Sequence, residues 1–282
     1  NVKPKHFELM LEAYKKAGID AKVLLHQGNH IYPSTRWSGT EVAGQAFNDL
    51  MNLWYSHYLY GIENGIENLP QVTAQDNLDP SKWHRFDKWD TDQAISGRIY
   101  SKREEVTVTG DYYGTGNNWT TRNQDAAFHS SEVAASYAAT VDQDTTIKGH
   151  IPVHFSAAFV KGDKNHAHVS ATLMDVSDEE FDVVKEEITY DKDGYSTRTL
   201  EKETIDETGY WNGSNLETLP LKRYTTHKVK SVVIARGWMN LANPASRYDS
   251  ASSSQSIDVK ENEFHDYTMY LQPNLYTVKK GH

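Results

Sequence analysis

Two histidines follow a short apolar run in the segment KVLLHQGNHIYP, residues 22–33. An imidazole suits proton transfer near neutral pH, because its unperturbed pKa is about 6.5. Sites in open α/β sheets form beyond the carboxyl ends of the strands, which is where His26 and His30 would lie. His30 is farther out, after Gly28, and is the better candidate for a catalytic base. The alternative is a loop histidine that only packs or caps.

A histidine base of the Ser–Asp–His kind also needs a nucleophile and an acid. The sequence contains no G-x-S-x-G motif, the turn that presents the serine in α/β-hydrolases. Asp20 is the only aspartate before His30, and it stands at the opposite end of the predicted strand. Five or six strand residues would put about 15–20 Å between the two side chains. If His30 is catalytic, the chain therefore supplies one member of a triad and not the other two.

Two other pairs of histidines could bind a metal ion. His150 and His154 share a face of a predicted strand, as do His166 and His168. No third ligand can be recognised near either pair, and the sequence has no cysteine that could supply a thiolate. We therefore expect no metal site at either pair, and we interpret these pairs as parts of a solvated sheet face.

The residues before about position 70 predict the order helix, strand, loop, helix. An apolar stripe with i, i+3, i+4, i+7 spacing begins after Pro4 and stops at Gly18. AKVLL, residues 21–25, predicts a short strand buried on both faces. This order is typical of the end of an α/β domain.

The second helix is predicted from about residue 39 to Tyr60. Ser38 and Glu41 form a capping-box signature at its start, and Gly61 ends it. Its apolar face is broad, and one strand cannot bury two helices. We expect the rest of the sheet to lie on polypeptide that precedes Asn1, and the apolar face of this helix to contact it.

From about residue 71 to residue 282, short runs rich in Val, Ile, Thr and Tyr alternate with clusters of Gly, Asn and Asp. The runs include KGHIPVHFSAAFV, HAHVSATLMDV, KVKSVVIARGW and HDYTMYLQP. They predict an antiparallel sandwich of the jelly-roll type. YDKDGY, residues 190–195, lacks the spacing of a calcium-binding loop and predicts a hairpin turn.

Composition excludes several classes of partner. The 282 residues are 38% hydrophobic and 24% charged, with a net charge of -10. That charge argues against binding to nucleic acid or to an anionic membrane. No apolar run approaches membrane-spanning length. The absence of cysteine fits a reducing compartment, so we expect a cytoplasmic protein.

Three segments together resemble the X-prolyl dipeptidyl aminopeptidases, serine peptidases related to cocaine esterase. They are LLHQGNHIYP with the following AFNDLMNLWYSHYLYGIENGIENLPQV, then ARGWMNLANP at residues 235–244, and YLQPNLYTVKKGH at the end. The resemblance covers nearly the whole chain. It implies the last part of an α/β-hydrolase domain in residues 1–70 and a galactose-binding-like jelly roll in residues 71–282.

The resemblance also implies a role for one residue. The catalytic histidine of the family corresponds to His30. The triad aspartate would lie just before Asn1, and the serine would lie far upstream. It implies a fragment cut at both ends, whose jelly roll continues past residue 282. The intact enzyme would be a homodimer that releases X-Pro dipeptides from the free amino end of peptides, without a cofactor. The fragment alone would be inactive.

Two other functions remain open from the sequence. An esterase or acylase of the same superfamily would share the architecture. A non-catalytic jelly roll that binds carbohydrate or a partner domain would need no triad. The alternatives differ in whether a Gly-Pro anilide, an ester or a glycan is recognised.

Overall fold

The fold is mostly β-sheet with few helices. The computed structural model describes residues 5–27, 39–89, 138–158, 168–184, 186–190, 196–200, 202–211, 214–244 and 257–282. Within these ranges, no helix combines the length and the apolar composition that crossing a membrane requires. The high share of strand agrees with the pattern of short β-rich runs in the sequence.

The described residues form two α-helices, one short 3-10 turn at Ile66–Asn68, and thirteen strands. In chain order these are α1 (Lys5–Lys16), β1 (Val23–Leu25), β2 (Gly39–Val42), β3 (Gln45–Ala46), α2 (Phe47–Tyr60), β4 (Val72–Gln75), β5 (Trp83–Phe86), β6 (Thr145–Ala158), β7 (His168–Val184), β8 (Glu186–Tyr190), β9 (Ser196–Leu200), β10 (Lys202–Trp211), β11 (Leu216–Tyr224), β12 (Thr226–Asn240) and β13 (Phe264–Val278).

The main core lies between two long antiparallel strand pairs. Strand β6 pairs with β13, and β7 pairs with β12. Apolar side chains from β6, β12 and β13 meet in one buried cluster, against which residues of β7 also pack. Along β13 the buried side chains alternate with more exposed ones, as in Tyr267, Met269 and Leu271. This alternation is what a strand with one face on a core produces, and it agrees with a β-sandwich.

Gly237 of β12 lies against β13 of the other strand pair. A Cβ atom there would lie 2.8 Å from a methyl group of Leu271, 2.9 Å from the carbonyl oxygen of Tyr270 and 3.0 Å from the Cα of Leu271. Two of these three atoms belong to the backbone of β13, so they cannot move aside without shifting the strand. Glycine is therefore required by packing at this position.

We expect Gly237→Ala to lower the free energy of unfolding by about 2 kcal/mol, the usual cost of overpacking a core. Gly209→Ala in β10 is the matched control, because a Cβ there would make only an ordinary 3.5 Å contact with Leu216. Urea unfolding of both variants and the parent measures the difference. Equal stability of the two variants would show that β12 and β13 do not approach this closely.

The amino-terminal elements form a smaller layer that joins the sandwich. Strand β4 pairs in parallel with β1 and antiparallel with β5. Helix α1 covers this sheet, and its Leu11 is buried with Val72, Ala74 and Trp89. Leu275 of β13 belongs to the same cluster. Residues on both sides of position 70 therefore share one small sheet and one core, although only β1 was recognised from the sequence.

The predicted start of the second helix is wrong. Residues 39–42 form β2, Gln45–Ala46 forms β3, and α2 begins only at Phe47. The Glu41 carboxylate accepts a hydrogen bond from the backbone N–H of Gly44, and Ala43 and Gly44 have φ values of 50° and 96°. This left-handed backbone makes a turn between β2 and β3. Glu41 thus caps a turn rather than a helix.

Other local predictions are confirmed. Helix α1 ends before Gly18, which has a φ of 71°. Helix α2 ends at Gly61, which is left-handed and donates its N–H to the carbonyl of His57, as glycine caps do. Strands β8 and β9 pair antiparallel with Tyr190 opposite Ser196, which places a hairpin at YDKDGY. The connecting residues 191–195 lie outside the described ranges.

Candidate functional site

The predicted catalytic residue His30 lies outside the described residues. The residues on both sides of this segment are described, through Gln27 before it and from Gly39 after it. They converge on strands β1, β4, β5, β10 and β11.

The residues that follow β1 lie at the carboxyl edge of a parallel strand pair. Leu25 is opposite Ala74 in the β1–β4 register, so Gln27 and Gln75 leave the two strands at the same edge. The Gln27 backbone N–H donates to Gln75 Oε1 at 3.2 Å, and Gln27 Nε2 donates to the Gln75 carbonyl at 3.3 Å. Gln75 is itself buried, and its Nε2 donates to the carbonyl of Pro80 at 2.8 Å.

His26 packs against Tyr224 of β11. The two rings are stacked with centroids 6.4 Å apart and an angle of 16° between their planes. The Tyr224 hydroxyl lies 3.5 Å from His26 Nδ1. Burial lowers the pKa of His26 below its ordinary value, and the positive charge of Lys202 lowers it further. Burial raises the pKa of Tyr224 to about 12. Both rings are therefore mainly uncharged near neutral pH.

Lys202 of β10 lies beside the His26–Tyr224 ring pair and also contacts Thr40, which follows the His30 segment in the chain. Its Nζ donates to Thr40 Oγ1 at 2.9 Å and lies 5.1 Å from the centroid of the Tyr224 ring. Burial lowers the pKa of Lys202, and the nearby charge of Lys222 lowers it further. Lys202 thus contacts Thr40, which follows the His30 segment, and Tyr224, which stacks on a residue preceding it.

Glu41, the residue after Thr40, is a buried carboxylate in a polar environment. Its exposed fraction is 2%. Oε2 lies 3.3 Å from Arg223 Nε of β11 and 3.4 Å from Trp83 Nε1 of β5. The other carboxylate oxygen accepts the Gly44 N–H. These donors supply the hydrogen bonds and the opposite charge that a carboxylate needs when it is buried.

The two histidines of the described pair, His150 and His154, contact different partners. His150 Nδ1 lies 2.9 Å from Glu8 Oε2, whereas His154 Nδ1 lies 2.9 Å from Thr268 Oγ1. His166 lies outside the described residues, and only the backbone of His168 is described. In the part of the chain that the structure describes, no group of three or more His, Asp or Glu side chains is placed to hold a metal ion.

The aromatic helix α2 is buried on one side only. Leu50 belongs to a buried cluster with Val42 and Ile66, and Trp54 packs against that cluster. Large side chains elsewhere on the helix are exposed, namely Leu53, Tyr55, Tyr58, Leu59 and Tyr60. The helix therefore presents an apolar, tyrosine-rich surface.

Residues 64–282 match the sequence profile of a protein family described as the X-Pro dipeptidyl-peptidase C-terminal non-catalytic domain. This match covers more than half of the chain. The chain belongs to the X-Pro dipeptidyl-peptidase family. The resemblance found in the sequence is thereby confirmed, and His30 lies in the part of the family protein that precedes the matched domain.

Curated members of the X-Pro dipeptidyl-peptidase family match the chain beyond that domain. The chain is 27% identical over 304 aligned positions to the Xaa-Pro dipeptidyl-peptidase of Ligilactobacillus salivarius, and 26% identical over 304 to that of Lactiplantibacillus plantarum. Each alignment covers 100% of this chain and 34% of the relative. The similarity reaches 37% over 93 residues with the enzyme of Lactobacillus delbrueckii subsp. lactis, covering 33% of the chain and 11% of the relative. The chain spans about a third of the length of these relatives.

The contacts around the two flanks were not foreseen from the sequence. Lys202, Tyr224 and Arg223 are separated from Thr40, His26 and Glu41 by more than 150 positions. No local pattern marks such pairs. The parallel pairing of β2 with β11 brings them together.

Proposed function

We propose that this chain is part of a serine exopeptidase that releases X-Pro dipeptides from the free amino end of peptides, and that it supplies the triad histidine, His30. The substrates are peptides with proline at the second position. Its nucleophilic serine and its aspartate come from polypeptide outside this chain. Neither a metal ion nor an organic cofactor takes part.

The observation that carries the proposal is the extent of the similarity. Alignments with relatives named Xaa-Pro dipeptidyl-peptidase include the whole chain, and so include residues 1–63, which the C-terminal domain profile leaves out. The His30 segment is one of the stretches that resembles the family. The flanking Gln27 lies at the carboxyl edge of parallel strands β1 and β4, the edge at which α/β enzymes form sites.

His30 acts as the general base and then as the general acid in this proposal. Its imidazole takes the proton of the serine hydroxyl as the oxygen attacks the carbonyl carbon of the proline residue. It then gives that proton to the leaving amine, so that an acyl-enzyme and a shortened peptide result. Water repeats the two proton transfers and releases the dipeptide. The aspartate fixes the tautomer and stabilises the imidazolium.

The domain division follows the same proposal. Residues 1–70 form the end of an α/β-hydrolase domain, and residues 71–282 form a galactose-binding-like jelly roll that continues past residue 282. Strand β1 supports the α/β assignment of the first part because it pairs in parallel, as strands of α/β folds do, although its partner β4 (Val72–Gln75) lies just past the proposed boundary. The two antiparallel pairs around one core support the sandwich.

The partners of the chain follow from its exposed surface. The face of α2 that carries Leu50 and Trp54 packs within this chain, so in this proposal the exposed large side chains of the helix, such as Tyr55 and Leu59, contact the remaining polypeptide of the enzyme. Exposed apolar patches of this kind commonly mark interaction surfaces. The intact protein is proposed to be a cytoplasmic homodimer, in keeping with the absence of cysteine.

Hydrolysis of Gly-Pro p-nitroanilide by the full-length protein tests the proposal. We expect turnover of this substrate, and none of the same anilide with an acetylated amino end, because the enzyme must recognise the free amine. The 282-residue chain alone is expected to be inactive. Turnover by that chain alone would contradict the assignment of the serine and aspartate to other polypeptide.

The same assay separates the alternative functions. Cleavage of cocaine-like esters without cleavage of the anilide would indicate an esterase or acylase. Binding to a glycan array by the protein, without hydrolysis of either substrate, would indicate a carbohydrate-binding module. Each outcome rejects the exopeptidase.

A further inference from the structure

We propose that a cavity between β5, β11 and the β2–β3 turn binds the terminal carboxylate of a short peptide. The cavity has a volume of about 350 Å³, and its lining includes Glu41, Ser81, Trp83, Arg85 and Arg223. This volume is at the small end of the range of about 300–1,000 Å³ that is usual for small-molecule sites. The cavity therefore accommodates the end of a peptide and not a folded partner. The inference does not depend on the proposed peptidase activity.

Strand β5 places an indole and a guanidinium side by side on the cavity wall. Trp83 and Arg85 are two positions apart on this strand, so they share one of its faces. Phe86 belongs to the opposite face and packs against the buried cluster that contains Val72. Because that face covers the core, the face with Trp83 and Arg85 is left to line the cavity. The Arg85 side chain is exposed.

A buried carboxylate fixes the second guanidinium. Glu41 Oε2 lies 3.3 Å from Arg223 Nε and 3.4 Å from Trp83 Nε1, and Glu41 is only 2% exposed. A guanidinium carries five N–H donors, and within the described ranges Arg223 forms a hydrogen bond through Nε alone. Glu41 therefore holds the side chain in place, and the terminal nitrogens of Arg223 remain available to a ligand.

The cavity carries an excess of positive charge. Arg85 and Arg223 are always protonated near neutral pH, and Glu41 offsets one of the two charges. Within the described part of the chain, Arg85 has no hydrogen bond or ion pair of its own. One positive charge is therefore left over, in a chain whose net charge is -10. A singly charged anion would balance it.

A second carboxylate near the cavity does not cancel this excess. The hydroxyl of Ser81 donates to Asp79 Oδ1 at 2.6 Å. The other carboxylate oxygen of Asp79 lies 3.1 Å from Lys82 Nζ. The Asp79–Lys82 pair adds one charge of each sign, so the surplus near Arg85 remains.

The lining indicates an organic carboxylate. Guanidinium groups match the planar carboxylate with two parallel hydrogen bonds. The half-buried Trp83 ring offers an apolar wall beside them, which suits a carboxylate attached to an apolar side chain and gives nothing to an inorganic ion. The last residue of a peptide combines these two features.

The position of β5 in its sheet favours a peptide over other organic acids. Among the described strands, β5 pairs only with β4 and so forms an edge of the β1–β4–β5 sheet. Backbone groups along a sheet edge can pair with an extended chain, which is a common mode of peptide recognition. The cavity thus offers both an anchor for the carboxylate and an edge for the residues that precede it.

Calorimetric titration of the full-length protein with N-acetyl-glycyl-phenylalanine tests the inference. The control ligand is the C-terminal amide of the same peptide, which differs only in lacking the charge. We expect the acid to bind at least about 10-fold more tightly than the amide, the loss that one charge-assisted hydrogen bond produces. The acetyl group blocks the free amine that the proposed exopeptidase recognises. Binding at this cavity can therefore fail while the peptidase assignment stands.

Arg85→Gln locates the bound acid. Because Arg85 is exposed, its replacement should leave the fold intact, whereas a change at Arg223 would leave the buried Glu41 without its cation. We expect Arg85→Gln to weaken binding of the acid by at least about 10-fold and to leave binding of the amide unchanged. Arg85→Lys keeps the charge without the fork and should fall between. Arg236→Gln, at an exposed arginine of β12, is the matched control and should bind the acid as the parent does.

Four results would overturn the proposal. The acid fails to bind, or the acid and the amide bind equally. Arg85→Gln binds the acid as tightly as the parent, which would place the ligand elsewhere. Inorganic phosphate binds more tightly than the acid and loses its affinity in Arg85→Gln, which would make the cavity a site for an inorganic anion.

Discussion

His30→Ala in the full-length protein is expected to lower kcat for Gly-Pro p-nitroanilide by at least about 1,000-fold. A serine hydroxyl is a weak nucleophile unless a neighbouring base takes its proton, and the same group must protonate the leaving amine. KM should change little, because the imidazole acts on the reacting atoms. Steady-state kinetics with active-site titration measures the loss, and circular dichroism compares the fold with that of the parent.

His26→Ala is the informative comparison for that variant. The two residues are four positions apart, but His26 stacks on Tyr224 and is partly buried. We expect its replacement to reduce kcat only to the extent that the flank of the segment loosens, by about 10-fold. His154→Ala, on the exposed side of β6 and in contact with Thr268, should have no effect. A greater loss for His26→Ala than for His30→Ala would move the catalytic assignment to His26.

Much of the local structure could be predicted from the sequence. The ends of α1 and α2 follow from Gly18 and Gly61, because glycine takes the left-handed conformation without steric cost. The antiparallel pairing of β8 with β9 follows from turn chemistry in the six consecutive residues YDKDGY. In each case the signal and the structure it determines lie within a few positions of each other.

The wrong prediction that the second helix starts at residue 39 shows where such local sequence signals fail. Ser38 and Glu41 have the spacing of a capping box, yet Glu41 lies in β2. The competing interaction is the pairing of β2 with β11, about 180 positions away. Arg223 of that strand provides a partner for the buried Glu41 carboxylate. A local helix preference of a few tenths of a kcal/mol per residue cannot outweigh such burial and pairing.

The partner strand of β1 was missed for a similar reason. Val72–Gln75 is short, and the change in residue composition near position 70 made this stretch resemble a boundary between domains. All four of its side chains are buried, which requires cover on both faces. The pairing with β1 joins positions about fifty apart. Periodicity within a segment indicates whether a face is buried, but it does not indicate which strand lies beside it.

Glu8 carries a signal that could have been recognised. It precedes Leu11 by three positions, so the two side chains share a face of α1, and that face is the apolar one. A carboxylate on the buried face of a helix requires a partner. The structure supplies two, because Trp89 Nε1 donates to Glu8 Oε1 at 2.8 Å and His150 Nδ1 lies 2.9 Å from Oε2.

We expect Glu8→Ala to lower the free energy of unfolding by about 2 kcal/mol, the usual cost of leaving a buried polar group without its hydrogen-bond partner. It leaves the indole N–H of the buried Trp89 without this acceptor and removes the carboxylate that contacts the half-buried His150 ring. Glu8→Gln keeps the shape and one acceptor oxygen, so it should lose less. Urea unfolding of the full-length protein, followed by tryptophan fluorescence, measures both changes.

Glu12→Ala is the matched control on the same helix. Glu12 is half exposed and pairs only with Lys15 at 3.6 Å, an arrangement worth less than about 0.5 kcal/mol. Glu8, in contrast, connects α1 to Trp89 and to β6 of the sandwich. Its loss should therefore weaken the attachment of residues 5–16 to the domain that follows, and not only the helix. If Glu8→Ala and Glu12→Ala unfold at the same urea concentration, this buried connection does not hold the two parts together.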